Sequence, residues 1–126
     1  MDAEFLSSFS DEAMAQFTSI SGDVNPLHLD REYAGKAGFQ APVVYGMLTS
    51  SLYSQLVGVY LPGQYALLQG IDIDFHAACY IGDQLRVHGE IVFLSDACQR
   101  IEIKASIRNQ DRKLISNATI RVGLYA

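Results

Sequence analysis

Residues 37–71 contain no Asp, Glu, Lys or Arg, and nothing else in the chain limits its fold as much. Inside that stretch, residues 43–61 read VVYGMLTSSLYSQLVGVYL, with Met47, Leu48, Leu52, Leu56 and Val59 spaced as one stripe of a helix. The other faces carry only small or neutral residues. A helix with no charged face is buried on most sides, so the rest of the chain must cover it. Pro62 and Gly63 stop the helix. Gln40, Pro42, Thr49, Ser50, Ser51, Ser54 and Gln55 make the stretch too polar for a membrane span, and no membrane partner is expected.

The cover becomes legible from residue 66, where the period changes to two. Strands are expected at residues 66–76, 84–94, 98–108 and 113–124. Ile101, Ile103, Ala105 and Ile107 alternate with Glu102, Lys104, Ser106 and Arg108. That pattern gives one buried and one wet face, typical of an antiparallel sheet. Residues 109–112 and Ser95-Asp96 read as hairpin connections, and Gly82-Asp83 as the turn into a strand. The expected architecture is α+β, a single domain over residues 1–126 with an antiparallel sheet wrapped around the central helix. Unpaired sheet edges are liabilities that proteins cover, so a second copy of the chain is the expected partner.

Ahead of the charge-free stretch, Ser10 is placed to cap a helix over residues 11–20, with Asp11 and Glu12 suited to its dipole. Phe9 and Met14 have the spacing of a hydrophobic staple, and Ala13, Met14, Phe17 and Ile20 form the apolar face. Residues 21–30, SGDVNPLHLD, read as a turn-rich loop. Asp30 can cap a second short helix through Ala34, which Gly35 and Gly38 keep short.

Composition excludes some functions. The net charge is −5 from 14 acidic and 9 basic residues, with no basic run, so nucleic acid is not an expected partner. Cys79 and Cys98 lack metal or redox spacing and read as two small buried residues in a reducing compartment. The start, MDAEFLSS, lacks the basic lead and apolar run of a signal peptide, so a cytoplasmic location is expected. His28, His76 and His88 are not at ligand spacing, and no metal site is expected. His76 reads as a strand-end residue and His88 as an exposed strand residue.

Asp23 and His28 stand five apart in the loop after the first helix, with Asn25 and Pro26 between them. A carboxylate and an imidazole brought together can hold a water and move protons, because imidazole titrates near neutrality. Spacing alone fits equally well a loop in which Asp23 caps backbone N–H groups and His28 is an ordinary half-buried histidine.

The surrounding residues favour the first. FTSISGDVNPLH at residues 17–28, then Ala34 and Phe39, resembles the signature of the R-specific enoyl-CoA hydratases, within the MaoC-like dehydratase family of hot-dog folds. Pro42-Val43-Val44-Tyr45-Gly46-Met47-Leu48 looks like that family's entry into its central helix, Leu61-Pro62-Gly63 like the exit, and Phe75 with Gly82-Asp83 like its second strand and turn. The resemblance implies that Asp23 and His28 are the catalytic pair. They would hold the water that adds to C3 of a trans-2-enoyl thioester and supply the proton at C2. It further implies that the Gly46 backbone N–H stabilises the enolate oxygen, that Asn25 shapes the loop, and that Ser54 lies near the catalytic pair. An unpaired N–H at a helix start suits developing negative charge.

Tyr45 stands where the family usually has His, and Ala78 where it usually has Pro. The first departure bears on packing or on the acyl pocket, since a phenol cannot take up a proton at neutral pH. The implied activity is (R)-specific hydration of enoyl-CoA or dehydration of 3-hydroxyacyl thioesters, with coenzyme A or a carrier protein as the thioester handle and no cofactor. The alternatives are a dehydratase acting on carrier-protein or specialised acyl groups, and a non-catalytic thioester-binding protein. The handle's phosphates would meet bases such as Arg31, Lys36 or Arg86, and Leu52, Tyr53, Leu56 or Leu67 would close the acyl tunnel.

Overall fold

The alternating isoleucines lie in the middle strand of one antiparallel sheet. In a computed structural model describing residues 1–125, strands β1 (Asp2–Ser7), β2 (Ala66–Phe75), β3 (Leu85–Ser95), β4 (Arg100–Arg108) and β5 (Leu114–Leu124) take the order β1-β3-β4-β5-β2. Four helices precede β2: α1 (Asp11–Ser21), α2 (Pro26–Leu29), α3 (Arg31–Lys36) and α4 (Gly46–Gln55). A π-helical turn, Leu56–Tyr60, extends α4. This is the hot-dog architecture expected from the motif.

Register converts the alternation into three rows on the inner face. One row is Ile91, Ile103, Ile120 and Ile71. The next is Ala3, Gly89, Ala105, Ala118 and Ile73, and the third is Phe5, Val87, Ile107, Ser116 and Phe75. The middle row is a trough of small residues. A Cβ on Gly89 would stand 2.6 Å from Leu56 Cδ2, so glycine is what lets the helix seat there. Leu52, Tyr53, Leu56 and Val57 are buried against this face, and the Tyr53 hydroxyl reaches Ser116 Oγ at 2.7 Å. The phenol is thereby buried without an orphaned polar atom.

Several expectations change. β1 was not expected, because six residues with two carboxylates make a weak signal. Its Ala3 and Phe5 pack inward while Asp2 and Glu4 stay exposed. The central helix begins at Gly46 rather than at residue 43, because Val43 and Val44 give their N–H groups to Leu27 O (3.1 Å) and Cys79 O (2.7 Å). Met47 and Val59 of the expected stripe are 66% and 64% exposed in the single chain, and Ile20 is 84% exposed at the end of α1. Cys79 is buried as expected, but Cys98 is exposed in the β3–β4 turn. Residues 26–29 form a helical turn rather than open loop. His88 is only half-exposed and faces Asp2 at 3.4 Å. No helix among the described residues is long and apolar enough to cross a membrane.

Candidate active site

Local capping builds the loop that carries Asp23 and His28. Ser10 starts α1 by accepting from Ala13 N at 3.1 Å. Gly22 ends it in the left-handed region, φ 71°, where its N–H returns to Thr18 O at 2.9 Å. The chain then turns through Asp23, whose Oδ1 accepts from Asn25 N at 3.0 Å. Asn25 in turn caps α2 by accepting from Leu27 N at 3.0 Å, and Pro26 fills the first helical position. Asn25 therefore orients the single helical turn on which His28 stands.

That turn is fixed to the chain segment before α4. Leu27 O accepts from Val43 N (3.1 Å), and His28 Nδ1 lies 2.7 Å from Val43 O. A carbonyl oxygen can only accept, so Nδ1 carries the proton. That leaves Nε2, which has no hydrogen-bond partner among the described residues, as the ring's second nitrogen. One face of the ring stacks on Tyr45, centroids 4.1 Å apart and planes 28° apart. Tyr45 is 2% exposed, donates its hydroxyl to Asp23 O at 2.6 Å, and lies 2.8 Å from Thr18 Oγ1, which itself donates to Met14 O at 2.8 Å.

α4 begins beside this pair. No side chain caps it, which leaves its first N–H groups without a side-chain partner. Its first residue is Gly46 because Phe75 packs over that position, and a Cβ there would meet Phe75 Cε1 at 3.0 Å. Phe17, Ser21, Asp23, His28, Tyr45, Gly46, Met47 and Phe75 line one pocket of about 250 Å³. The motif residues Asp23, His28, Tyr45 and Gly46 thus converge on the end of β2. Asp23 and His28 are not bonded to each other, and both face the same space.

Ser54 does not join them. It lies eight residues beyond Gly46, roughly 12 Å along a helix axis. There it lines a separate apolar groove of about 210 Å³ between α4 and β2, with Tyr53, Leu68, Ile71 and Ile73. Met47 is common to both spaces. His28 also borders a wider cavity of about 440 Å³, whose walls include Asp11, Met14, Arg31, Pro42 and Tyr80. Of the three candidate bases for an anionic handle, Lys36 pairs with Glu32 and Arg86 with Glu4, both at 3.1 Å. Arg31 is in no ion pair among the described residues. The sequence reading did not single out Val43, Thr18 or Met47 for roles in the site. The Val43 contribution is a main-chain carbonyl, which no residue type announces.

The family model of the MaoC like domain matches residues 3–112. The chain belongs to the MaoC-like family. Over 88 residues this MaoC-like chain is 36% identical to an (R)-specific enoyl-CoA hydratase of Aeromonas caviae, covering 70% of the chain and 66% of that relative. Over 100 residues it is 33% identical to a mitochondrial 3-hydroxyacyl-[acyl-carrier-protein] dehydratase of Arabidopsis thaliana, covering 79% of the chain and 59% of that relative. The matched segments therefore span less than two thirds of either relative's length. Among solved structures, an (R)-hydratase from A. caviae superposes with TM-score 0.93 at 30% identity, over 99% of this chain and 95% of that one. An R-hydratase of Pseudomonas aeruginosa superposes with TM-score 0.90 at 28% identity, over 98% of this chain and 79% of that one.

Proposed function

We propose that this MaoC-like chain adds water reversibly to trans-2-enoyl thioesters, giving (R)-3-hydroxyacyl thioesters. The observation that carries this reading is the His28 Nδ1 bond to Val43 O, which leaves Nε2 unbonded in a residue that lines one pocket with Asp23 and Gly46. A water held between Asp23 and Nε2 gives up one proton as its oxygen bonds to C3. The C2=C3 electron pair moves into the thioester, and the enolate oxygen is met by the Gly46 N–H at the α4 start. The same pair returns the proton to C2. Dehydration is the reverse sequence. The step uses no bound cofactor or metal. Asn25 and Ser54 are assigned supporting roles, Asn25 through the α2 cap and Ser54 along the groove beyond Met47.

Measured crotonyl-CoA hydration tests this. Asp23→Asn and His28→Gln should each lower kcat by about a thousandfold or more while leaving the fold intact, because general acid–base groups contribute roughly 10²–10⁴-fold each. Wild-type rates in either variant would overturn the assignment. Binding of enoyl-CoA by the wild-type protein without turnover would identify a non-catalytic binder instead. Relatives acting on both handles motivate running the same assay with carrier-protein thioesters.

A second copy is part of the proposal. β2 pairs only with β5 and is an outer strand ten residues long. Leu67, Leu68, Met47 and Phe75 are exposed on or beside it. The chain exposes 7395 Å², above the roughly 6,700 Å² that area scaling gives a monomer of this mass.

A further inference from the structure

We infer that Tyr45 is a positioning residue for the hydration step, holding both members of the Asp23–His28 pair. The inference rests on the function proposed above.

Tyr45 presents almost none of its surface to the pocket, and its hydroxyl is bonded within the protein. The residue is 2% exposed, its hydroxyl bonds Asp23 O at 2.6 Å, and Thr18 Oγ1 lies 2.8 Å from the same hydroxyl. Its ring lies between His28, at 4.1 Å, and Phe17, at 4.8 Å. These four contacts reach α1, the Asp23 loop and α2. The residue therefore joins the two chain segments that carry the pair to the segment that opens α4.

Two of these contacts add to the restraints on the pair. The loop residue Asp23 is held at its own side chain by Asn25 N (3.0 Å) and at its amide by Ser21 Oγ (3.1 Å). Among the described residues its carbonyl is bonded only by the Tyr45 hydroxyl. Without that bond the 23–24 peptide is free to rotate, and the carboxylate moves with it. His28 is held at one edge by Val43 O. A ring tethered by one nitrogen can still swing about that bond, and the stacked phenol sets its plane. Displacements on the scale of 1 Å can cost a hundredfold in rate.

Tyr45→Phe keeps the stack and removes the hydroxyl. Tyr45→Leu removes both. Tyr45→His keeps a flat ring and a donor. We expect kcat for crotonyl-CoA to fall about tenfold in Tyr45→Phe and about a hundredfold in Tyr45→Leu, with KM within about twofold throughout. Tyr45→His should recover most of the Tyr45→Leu loss. A purely structural role would lower the folded fraction and leave kcat per folded molecule unchanged, which overturns the inference. A raised KM at constant kcat would overturn it too, since that marks a substrate contact. One readout is independent of turnover: the His28 Nδ1–H resonance should be protected from exchange in the wild-type protein and in Tyr45→Phe, and lost in Tyr45→Leu. If the wild-type protein hydrates no enoyl thioester, the proposed function fails, and an unchanged Nδ1–H signal in Tyr45→Leu would separately refute the positioning.

Discussion

At Gly46 the reason for glycine is contact rather than conformation. Its φ is not in the left-handed region, but the Phe75 ring stands 3.0 Å from where a Cβ would go. Alanine there must push Phe75 or tilt the first turn of α4, and either shift misplaces the N–H assigned to the enolate oxygen. Alanine is intrinsically better than glycine in a helix by about 0.5–1 kcal/mol. Gly46→Ala should therefore leave the melting temperature nearly unchanged while kcat falls about tenfold, part of the roughly 10²–10³-fold lost when one oxyanion donor is removed outright. A variant with full activity would remove Gly46 from the site. Residue by residue, the carboxylate of Asp23 and the imidazole of His28 stood out by type, whereas Gly46 entered through the resemblance, and the structure brings all three to one pocket. The residue that fixes the histidine's tautomer was not legible, because Val43 acts through a carbonyl that any amino acid supplies. Ser54, expected near the pair and two helical turns beyond Gly46, lines the neighbouring groove that shares Met47 with the pocket.

At the scale of elements, β4 was legible because Ile101, Ile103, Ala105 and Ile107 alternate over a long run, whereas β1 offers only Ala3 and Phe5 between carboxylates. What alternation could not show is register. The trough of Ala3, Gly89, Ala105 and Ala118 exists only once four strands are aligned, and it decides where α4 lies. The helix–sheet contact also has a pH signature. Burial pushes the Tyr53 phenol from 10.0 up to about 12, against a lowering hydrogen bond from Ser116. Burial, reinforced by the Asp83 charge, pushes the Cys79 thiol from 9.0 up to about 12. In alkali the unfolded chain ionises these groups first, so it binds fewer protons than the native state and native stability falls as pH rises. Melting temperature should hold up to about pH 9 and then drop steadily toward pH 12. Tyr53→Phe should flatten the part of that drop above pH 10. A drop of unchanged steepness in that variant would show that Tyr53 ionises alike in both states.

At the scale of the whole molecule, the proposed second copy predicts a mass near twice the 13.9 kDa of the chain in light scattering at micromolar concentration. Leu67→Glu, at a residue 55% exposed on β2, should return it to the single mass. A monomer in the wild-type protein would leave β2 an open edge and refute the pairing. The two outer strands of the sheet are unlike each other. β2 is ten residues long and flanked by exposed leucines, whereas β1 is six residues long with Asp2 and Glu4 exposed. Charge and shortness blunt an edge against pairing. A symmetric contact along β2 uses that strand in both copies at once and leaves only the two β1 edges outward. In the proposed dimer only short, charged edges would then face outward, so the asymmetry of the sheet's ends would disfavour growth by strand addition and make two the terminal number.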